Sequence, residues 1–204
     1  MPKRTQEEAA QTRQDLLDAA LSVFSRKGYH ATRLEDIAEA ASVTRGAIYH
    51  HFGSKADLYT ALVNDVSAQF GLITQQAIEQ GGDFYQVGTR VMVNTWTYLE
   101  ENPRTRDITE LFYYKTGDVP ELAEIARKRK EDAVSTVEMV AGFIQACIGL
   151  GELPPTLNPT NGARAFIAFQ NGIANLWLAN RAAFSLKDNA AALAKIFMGG
   201  LMAQ

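Results

Sequence analysis

The sequence has few of the residues that mark secreted or membrane proteins. A single cysteine, Cys147, excludes an internal disulfide and fits a reducing cytoplasm. On an apolar helix it is an ordinary small core residue, with a redox or metal role as the alternative. The charged first residues have no apolar run behind them, and no segment approaches the ~18 apolar residues that span a bilayer. We therefore expect a soluble, cytoplasmic protein without a signal peptide and without a membrane partner.

Motifs for catalysis are also absent. There is no glycine-rich phosphate loop after a strand, no cluster of metal ligands and no nucleophile–base pair of known spacing. We therefore expect no enzyme activity, no metal and no cofactor. A helical protein-binding module without sequence preference on DNA is a further alternative to the function developed below.

Strand-like alternation of apolar and polar residues is missing, and the chain has only 6 prolines. Apolar residues, 47% of the chain, recur instead at helical spacing between glycine and proline breaks. The pattern predicts an all-α protein of about nine helices. The first begins near Thr12 or earlier and ends at Gly28, and the others cover 34–41, 44–52, 55–80, 84–101, 105–114, 119–149, 160–181 and 188–202.

The most informative stretch contains two short helices joined by a tight turn, between Thr32 and Lys55. Thr32 and Glu35 have the spacing of a capping box, which begins the first helix. Ser42 lies in the turn, and Thr44 is the expected N-cap of the second helix. Two helices crossing at such a turn place the second one in the DNA major groove.

The outward side of that second helix carries side chains that bind phosphates and base edges. Gly46 has no side chain to obstruct a close approach of the backbone, and Lys55 follows at the start of a helix whose free N–H groups suit a phosphate. His51, beside the inward Phe52, has packing as its alternative. The candidate DNA-binding residues are Thr32, Arg33, Thr44, Arg45, Gly46, Tyr49, His50, His51 and Lys55.

The net charge of −3 is unevenly divided along the chain. Residues 1–55 hold 8 Lys/Arg against 7 Asp/Glu, and the remainder holds 12 against 16. The basic side chains must therefore share one face of the first part if that part binds DNA.

The last two predicted helices carry more apolar surface than one small domain hides. A homodimer would bury it, and two-fold symmetry would present two recognition helices to successive turns of a palindromic operator. The candidate interface residues are Phe166, Gln170, Trp177, Leu193, Phe197 and Leu201.

The run from Thr12 to Leu62 resembles the N-terminal domain of the TetR family of transcriptional repressors, which typically carries the segment read Thr-Arg-Gly-Ala-Ile-Tyr-His-His-Phe at 44–52. The whole chain is similar to multidrug efflux pump repressors of the AcrR/TtgR type, through residues 110–115, 172–178 and 184–187. One departure is Ser42, where the family usually has glycine. The resemblance implies a helix-turn-helix DNA-binding domain at 1–54 and a ligand-binding and dimerisation domain at 55–204.

The resemblance also bears on the second domain, where a few polar residues among aromatics suit either a small-molecule pocket or a helical core. It implies a pocket for hydrophobic effectors, often aromatic or cationic, that release the repressor from its operator. Glu110 would bind a cationic ligand or would be an exposed helix carboxylate. The expected ligand-binding residues are Met92, Trp96, Glu110, Tyr114, Phe143, Cys147, Phe169 and Ile173. A TetR-type activator or metabolic regulator with another ligand is the alternative.

Overall fold

The structure is a computed structural model that describes residues 6–117 and 119–203. Over these ranges it consists of α-helices and short helical turns without a strand, which confirms the all-α class. None of the described helices is both long and apolar enough to cross a membrane. The helices are α1 (Gln6–Ala31), α2 (Leu34–Ala40), α3 (Arg45–Phe52), α4 (Lys55–Glu79), α5 (Phe84–Glu101), α6 (Pro103–Glu110), α7 (Ala123–Gly149), α8 (Pro159–Ala179) and α9 (Leu186–Met202).

The helices form two compact units. The N-terminal unit comprises the described residues up to Ala68 together with Asp107–Ile125, and the C-terminal unit comprises Gln69–Arg106 together with the described residues from Ala126 onward. Helices α4, α6 and α7 each begin in one unit and end in the other. The functional division expected at residue 54 follows different bounds and stays a prediction.

Helices α6, α8 and α9 begin earlier than predicted, and in α6 and α8 an asparagine and a proline act together. The side-chain oxygen of Asn102 accepts the backbone N–H of Thr105 at 2.9 Å, and that of Asn158 accepts the N–H of Asn161 at 2.9 Å. In both cases the next residue is a proline at the first helical position, where no backbone N–H is needed. Helices α6 and α8 therefore begin at the proline itself.

The core of the N-terminal unit holds the two short helices in place. Ile37 of α2 and Ile48 of α3 are fully buried, beside three rings whose centroids lie 5.1 to 6.2 Å apart. Helices this short are unstable alone, so packing rather than propensity stabilises them. The rings belong to Phe24, Tyr29 and Tyr59.

A second segment of the chain completes this core. After α6, residues Leu111–Lys115 form a π-helical turn and Pro120–Leu122 a 3₁₀ turn. Leu111 and Leu122 are buried among the side chains of α1 to α4, and the hydroxyl groups of Tyr59 and Thr116 lie 2.8 Å apart. Residues 107–125 are thus an integral part of the unit that contains the helix pair, which the sequence did not predict.

The turn between α2 and α3 requires a left-handed residue. The N–H of Val43 donates to the carbonyl of Ala38, and the N–H of Ser42 donates to the carbonyl of Glu39, each at 3.0 Å, which is the Schellman pattern that ends a helix. Ser42 has a φ of 54°, the only positive φ of a non-glycine residue in the described ranges. A side chain in this conformation is strained, as expected from the missing glycine.

We predict that Ser42→Gly raises the free energy of unfolding by about 0.5–1 kcal/mol, because the relief of strain exceeds the added freedom of the unfolded chain. Urea denaturation followed by circular dichroism measures the change. Ser42→Ala is the control, since its Cβ keeps the strain, and an equal gain in that variant would contradict the explanation.

In the C-terminal unit α5 packs closely along α9. A Cβ on Gly88 of α5 would lie 2.7 Å from the terminal methyl of Met198, so a larger residue would require the end of this methionine side chain to move. The indole N–H of the buried Trp96 donates to the carbonyl of Gln170 at 3.1 Å. The ring of Phe169 stacks on that of Phe197, with centroids 4.9 Å apart. Aromatic side chains of α5, α8 and α9 therefore share one core.

Five of the six predicted dimer-interface side chains, all but Gln170, lie in this core or pack against it, which corrects the assignment of the buried ones. Phe166, Trp177 and Leu201 are buried, while Gln170, Leu193 and Phe197 are half-buried. The helical periodicity was identified correctly, but the apolar stripes pack within the unit because α5 lies against them. The exposed apolar residues of α8 and α9 lie elsewhere, chiefly at Leu176 and Ile196.

Candidate nucleic-acid interface

Helix α3 has one buried face and one face open to solvent. Ile48 is fully buried, whereas Arg45, Gly46, Tyr49 and His50 are exposed, as is the N-cap residue Thr44. Tyr49 is 44% exposed. The open face thus carries the predicted cation, hydroxyl and ring N–H groups together.

The side chain of Arg45 is fixed by two partners on this face. One terminal nitrogen donates to the Glu35 carboxylate and the other to the Tyr49 hydroxyl, each at 2.6 Å. The guanidinium carbon also lies 5.2 Å from the centroid of the Tyr49 ring. The hydrogen bond with Tyr49 and the charge of Glu35 raise the pKa of Arg45 above its usual value. Sequence reasoning missed Glu35 as a partner because no helical spacing links it to Arg45 across the turn.

The start of α2 differs from the prediction. Its N-cap residue is Arg33, whose backbone N–H donates to the Asp36 carboxylate at 3.0 Å, and Lys27 pairs with the same carboxylate at 2.9 Å. The backbone hydrogen bond and then Lys27 lower the pKa of Asp36. The expected capping box of Thr32 with Glu35 is therefore displaced by one residue, and Arg33 is left exposed.

Thr32 is not available to DNA. Its side chain is buried, and its hydroxyl donates to the carbonyl of Gly28 at 2.7 Å. Gly28 has non-helical dihedral angles near the end of α1, which free its carbonyl to accept this bond. We therefore correct the assignment of Thr32: it fixes the connection from α1 to α2.

Lys55 has several partners within the protein, and its predicted phosphate contact stays a prediction. Its ammonium group donates to the carbonyls of Tyr29 and Thr32 at 3.3 and 3.1 Å, and it pairs with Glu121 at 3.3 Å. It lies 4.4 Å from the centroid of the Tyr29 ring, and the side chain is 18% exposed. An ammonium has three donors, and these three acceptors can take all of them. Lys55 therefore joins α4 to the end of α1 and to the 3₁₀ turn.

We predict that Lys55→Met lowers the free energy of unfolding by about 1–2 kcal/mol, because two carbonyls and a carboxylate lose a shared partner. Thermal unfolding measures the loss. Lys27→Met is the control: its ion pair with Asp36 is 46% exposed on the lysine side, so its loss should lower the free energy of unfolding much less. Unchanged stability together with weakened DNA binding would instead indicate that Lys55 contacts a phosphate of DNA.

The two adjacent histidines differ in their surroundings. His50 is exposed on the open face of α3, while His51 is half-buried, with its ring centroid 5.3 Å from that of His50 and 6.3 Å from that of Phe52. The guanidinium of Arg13 lies 5.0 Å from the Phe52 centroid. This placement favours the packing alternative for His51.

The predicted ligand-binding residues are divided between the two units. Those in the C-terminal unit lie in or against its core, apart from Phe143, which is 37% exposed. Glu110 and Tyr114 belong to the N-terminal unit, where the Glu110 carboxylate pairs with Lys115 at 2.9 Å and Tyr114 is exposed. The residues in the C-terminal unit are Met92, Trp96, Phe143, Cys147, Phe169 and Ile173.

The cysteine is unsuited to thiolate chemistry. Burial, followed by the nearby Glu152 carboxylate, raises the pKa of Cys147 to about 11. The thiol is therefore protonated at neutral pH, and only the thiolate is a strong nucleophile or metal ligand. The environment supports the interpretation of Cys147 as a core residue.

Comparisons with known proteins agree with this geometry. Residues 16–62 match the family described as bacterial regulatory proteins, tetR family, and residues 84–203 match the MAATS-type transcriptional repressor, C-terminal region. The regulator TtgR of Pseudomonas putida is 31% identical over 87% of this chain and 85% of its own length. The regulator AcrR of Shigella flexneri is 30% identical over 93% of this chain and 89% of its own.

A solved structure gives the same result. NalD, the secondary repressor of the MexAB-OprM multidrug efflux pump in Pseudomonas aeruginosa, has a TM-score of 0.85 and 27% identity, covering 97% of this chain and 98% of its own. The fold and the exposed helix pair define a helix-turn-helix transcriptional regulator. Within that class, the chain belongs to the TetR family.

Proposed function

We propose that this protein is a homodimeric repressor that binds a palindromic operator through α3 and leaves it when a hydrophobic small molecule binds the C-terminal unit. The observation that carries the proposal is the open face of α3, where Arg45, Tyr49 and His50 project from a helix anchored by the buried Ile48. A rigidly held short helix of this kind can enter the major groove without rearrangement. The proposal places this repression in the cytoplasm.

The candidate contacts fall into two kinds. Arg45 and Tyr49, in the first turns of α3, suit base edges, since the N-terminal residues of a recognition helix reach deepest into the groove. Arg33, Thr44 and His50 suit phosphates, which fix the position of the protein on the duplex. Gly46 permits close approach of the backbone. Thr32 and Lys55 support this surface from behind.

We predict that Tyr49→Ala weakens operator binding at least tenfold, equivalent to about 1.4 kcal/mol. Thermal stability should change little, because the side chain is 44% exposed and its hydrogen bond with Arg45 lies at the surface. Fluorescence anisotropy measures affinity on a duplex that the wild-type protein enriches from a randomised library. Tyr113→Ala, which truncates an exposed tyrosine of the π-helical turn, is the control. Equal affinity of the Tyr49 variant and the wild type would remove Tyr49 from the site.

A surface formed by exposed residues of α8 and α9 supports the dimer proposal. Leu176 of α8 is 62% exposed and Ile196 of α9 is 69% exposed. Small exposed residues lie on the same faces of the two helices: Ala165, Ala168 and Gly172 on α8, and Ala192 and Gly199 on α9. Large apolar side chains flanked by small ones allow helices of two subunits to approach closely, so a second copy of the chain is the proposed partner.

We predict that the double variant Leu176→Glu, Ile196→Glu is a monomer, because opposed carboxylates cannot be buried in such an interface. Sedimentation should give a mass near the 22.4 kDa of one chain, and twice that value for the wild type. Met139→Glu on α7, at a residue that is 73% exposed, should remain dimeric. A monomeric wild type at micromolar concentration would refute the dimer.

Control of a multidrug efflux operon is supported by the relatives. NalD is named as a repressor of such a pump, and a relative of Escherichia coli, 33% identical over 95% of this chain and 88% of its own length, is named as a probable acrEF/envCD operon repressor. Because α4, α6 and α7 continue from one unit into the other, an effector can act on α3 through continuous backbone. A ~100-fold loss of operator affinity requires about 2.7 kcal/mol of coupling.

Genomic binding tests this proposal directly. Fragments of the host genome recovered on the protein should include sequences upstream of transporter genes, and hydrophobic compounds should release them while hydrophilic analogues do not. Fragments upstream of metabolic genes only would favour the other TetR-type function. If the protein recovers no fragment preferentially, sequence-specific DNA binding is refuted.

A further inference from the structure

The ion pair of Arg45 with Glu35 lies on the surface that the proposed function assigns to DNA. Both side chains are more than half exposed, at 55% and 57%. Exposed ion pairs contribute little to folding stability, because water solvates both charges well and screens their attraction. The contact therefore adds little to the packing of α2 against α3, since the buried Ile37 and Ile48 already hold these helices together.

The contact changes what Arg45 offers to a phosphate. Non-specific DNA binding arises almost entirely from cations that neutralise phosphates. A guanidinium already paired with a carboxylate at 2.6 Å adds little net charge, and the Glu35 carboxylate itself repels a phosphate. Glu35 should therefore reduce the affinity of α3 for DNA of any sequence.

The same contact prepares Arg45 to read a base. Glu35 and Tyr49 hold two nitrogens of the guanidinium in fixed positions, and its remaining N–H groups are still available as donors. A guanine edge presents two acceptors in one plane, which match a fixed guanidinium. A side chain ordered before binding loses less conformational entropy on contact.

We propose that Glu35 is a specificity-determining residue, which positions Arg45 for a base edge and suppresses its attraction to phosphates. Glu35 acts through Arg45 and need not touch DNA itself. The inference rests on the proposed function, DNA recognition by α3. It describes a repulsive element that lowers binding to wrong sequences, a common route to specificity.

The test is Glu35→Gln, which keeps the shape of the side chain and removes its charge. Affinities are measured for the duplex enriched by the wild type and for a scrambled duplex of equal length and composition, between about 50 and 200 mM salt. We expect affinity for the scrambled duplex to rise about threefold or more. The slope of log affinity against log salt concentration should steepen by the equivalent of about one phosphate contact. Operator affinity should rise less or fall, so the specificity ratio falls, and the melting temperature should not change.

Two controls isolate the contact with Arg45. Glu39→Gln makes the same change of net charge one turn further along α2, at another exposed carboxylate, and should leave the specificity ratio unchanged. In an Arg45→Ala background, Glu35→Gln should no longer alter the ratio, because the proposed effect of Glu35 acts through Arg45. The double-mutant cycle isolates this pairwise effect.

The outcomes separate this inference from the function on which it rests. If the wild type prefers its enriched duplex and Glu35→Gln leaves the ratio unchanged, or if Glu39→Gln lowers it equally, the role of Glu35 is overturned while DNA recognition stands. If the wild type does not distinguish the two duplexes, DNA recognition by α3 fails and the role of Glu35 fails with it.

Discussion

The constraint on which the site depends is the burial of one face of two very short helices. Helices α2 and α3 have 7 and 8 residues, too few to be stable in water alone. Ile37 and Ile48 are fully buried in the core of the N-terminal unit, and this burial stabilises the helices and fixes their orientation. The exposed face of α3 is consequently as rigid as the core behind it, which a base-reading surface requires.

That core is built from two distant parts of the chain. Leu111 and Leu122 pack into it, and Lys55 joins the backbone at Tyr29 and Thr32 to the carboxylate of Glu121. Residues 107–125 include the end of α6 and the beginning of α7, and both helices continue into the C-terminal unit. A displacement of this segment would therefore act on the foundation of the helix pair. This gives the proposed effector response a second route beside α4.

Helical periodicity and breaking residues predicted the fold well, because most of the longer helices have an apolar stripe and end at glycine, asparagine or proline. Helices α4 and α5 lie within a residue of the predicted bounds. The same periodicity correctly marked Phe166 and Leu201 as members of apolar stripes, but it could not tell which neighbour covers such a stripe. In this protein the covering element is α5 of the same chain, and the exposed Leu176 and Ile196 were overlooked.

The all-α class, the helix pair and the composition of the open face of α3 could be read from the chain alone, because they depend on neighbours within a few residues. The left-handed conformation at Ser42 was implied by the resemblance to a family that usually has glycine there. The contacts of Thr32, Lys55 and Glu35 are set by folding. Their partners are carbonyls, a carboxylate and a guanidinium brought near by folding, and the chain order carries no signal of them. A lysine reads the same in sequence whether it faces a phosphate or the end of a helix. The difference is set by which acceptors the fold places around it.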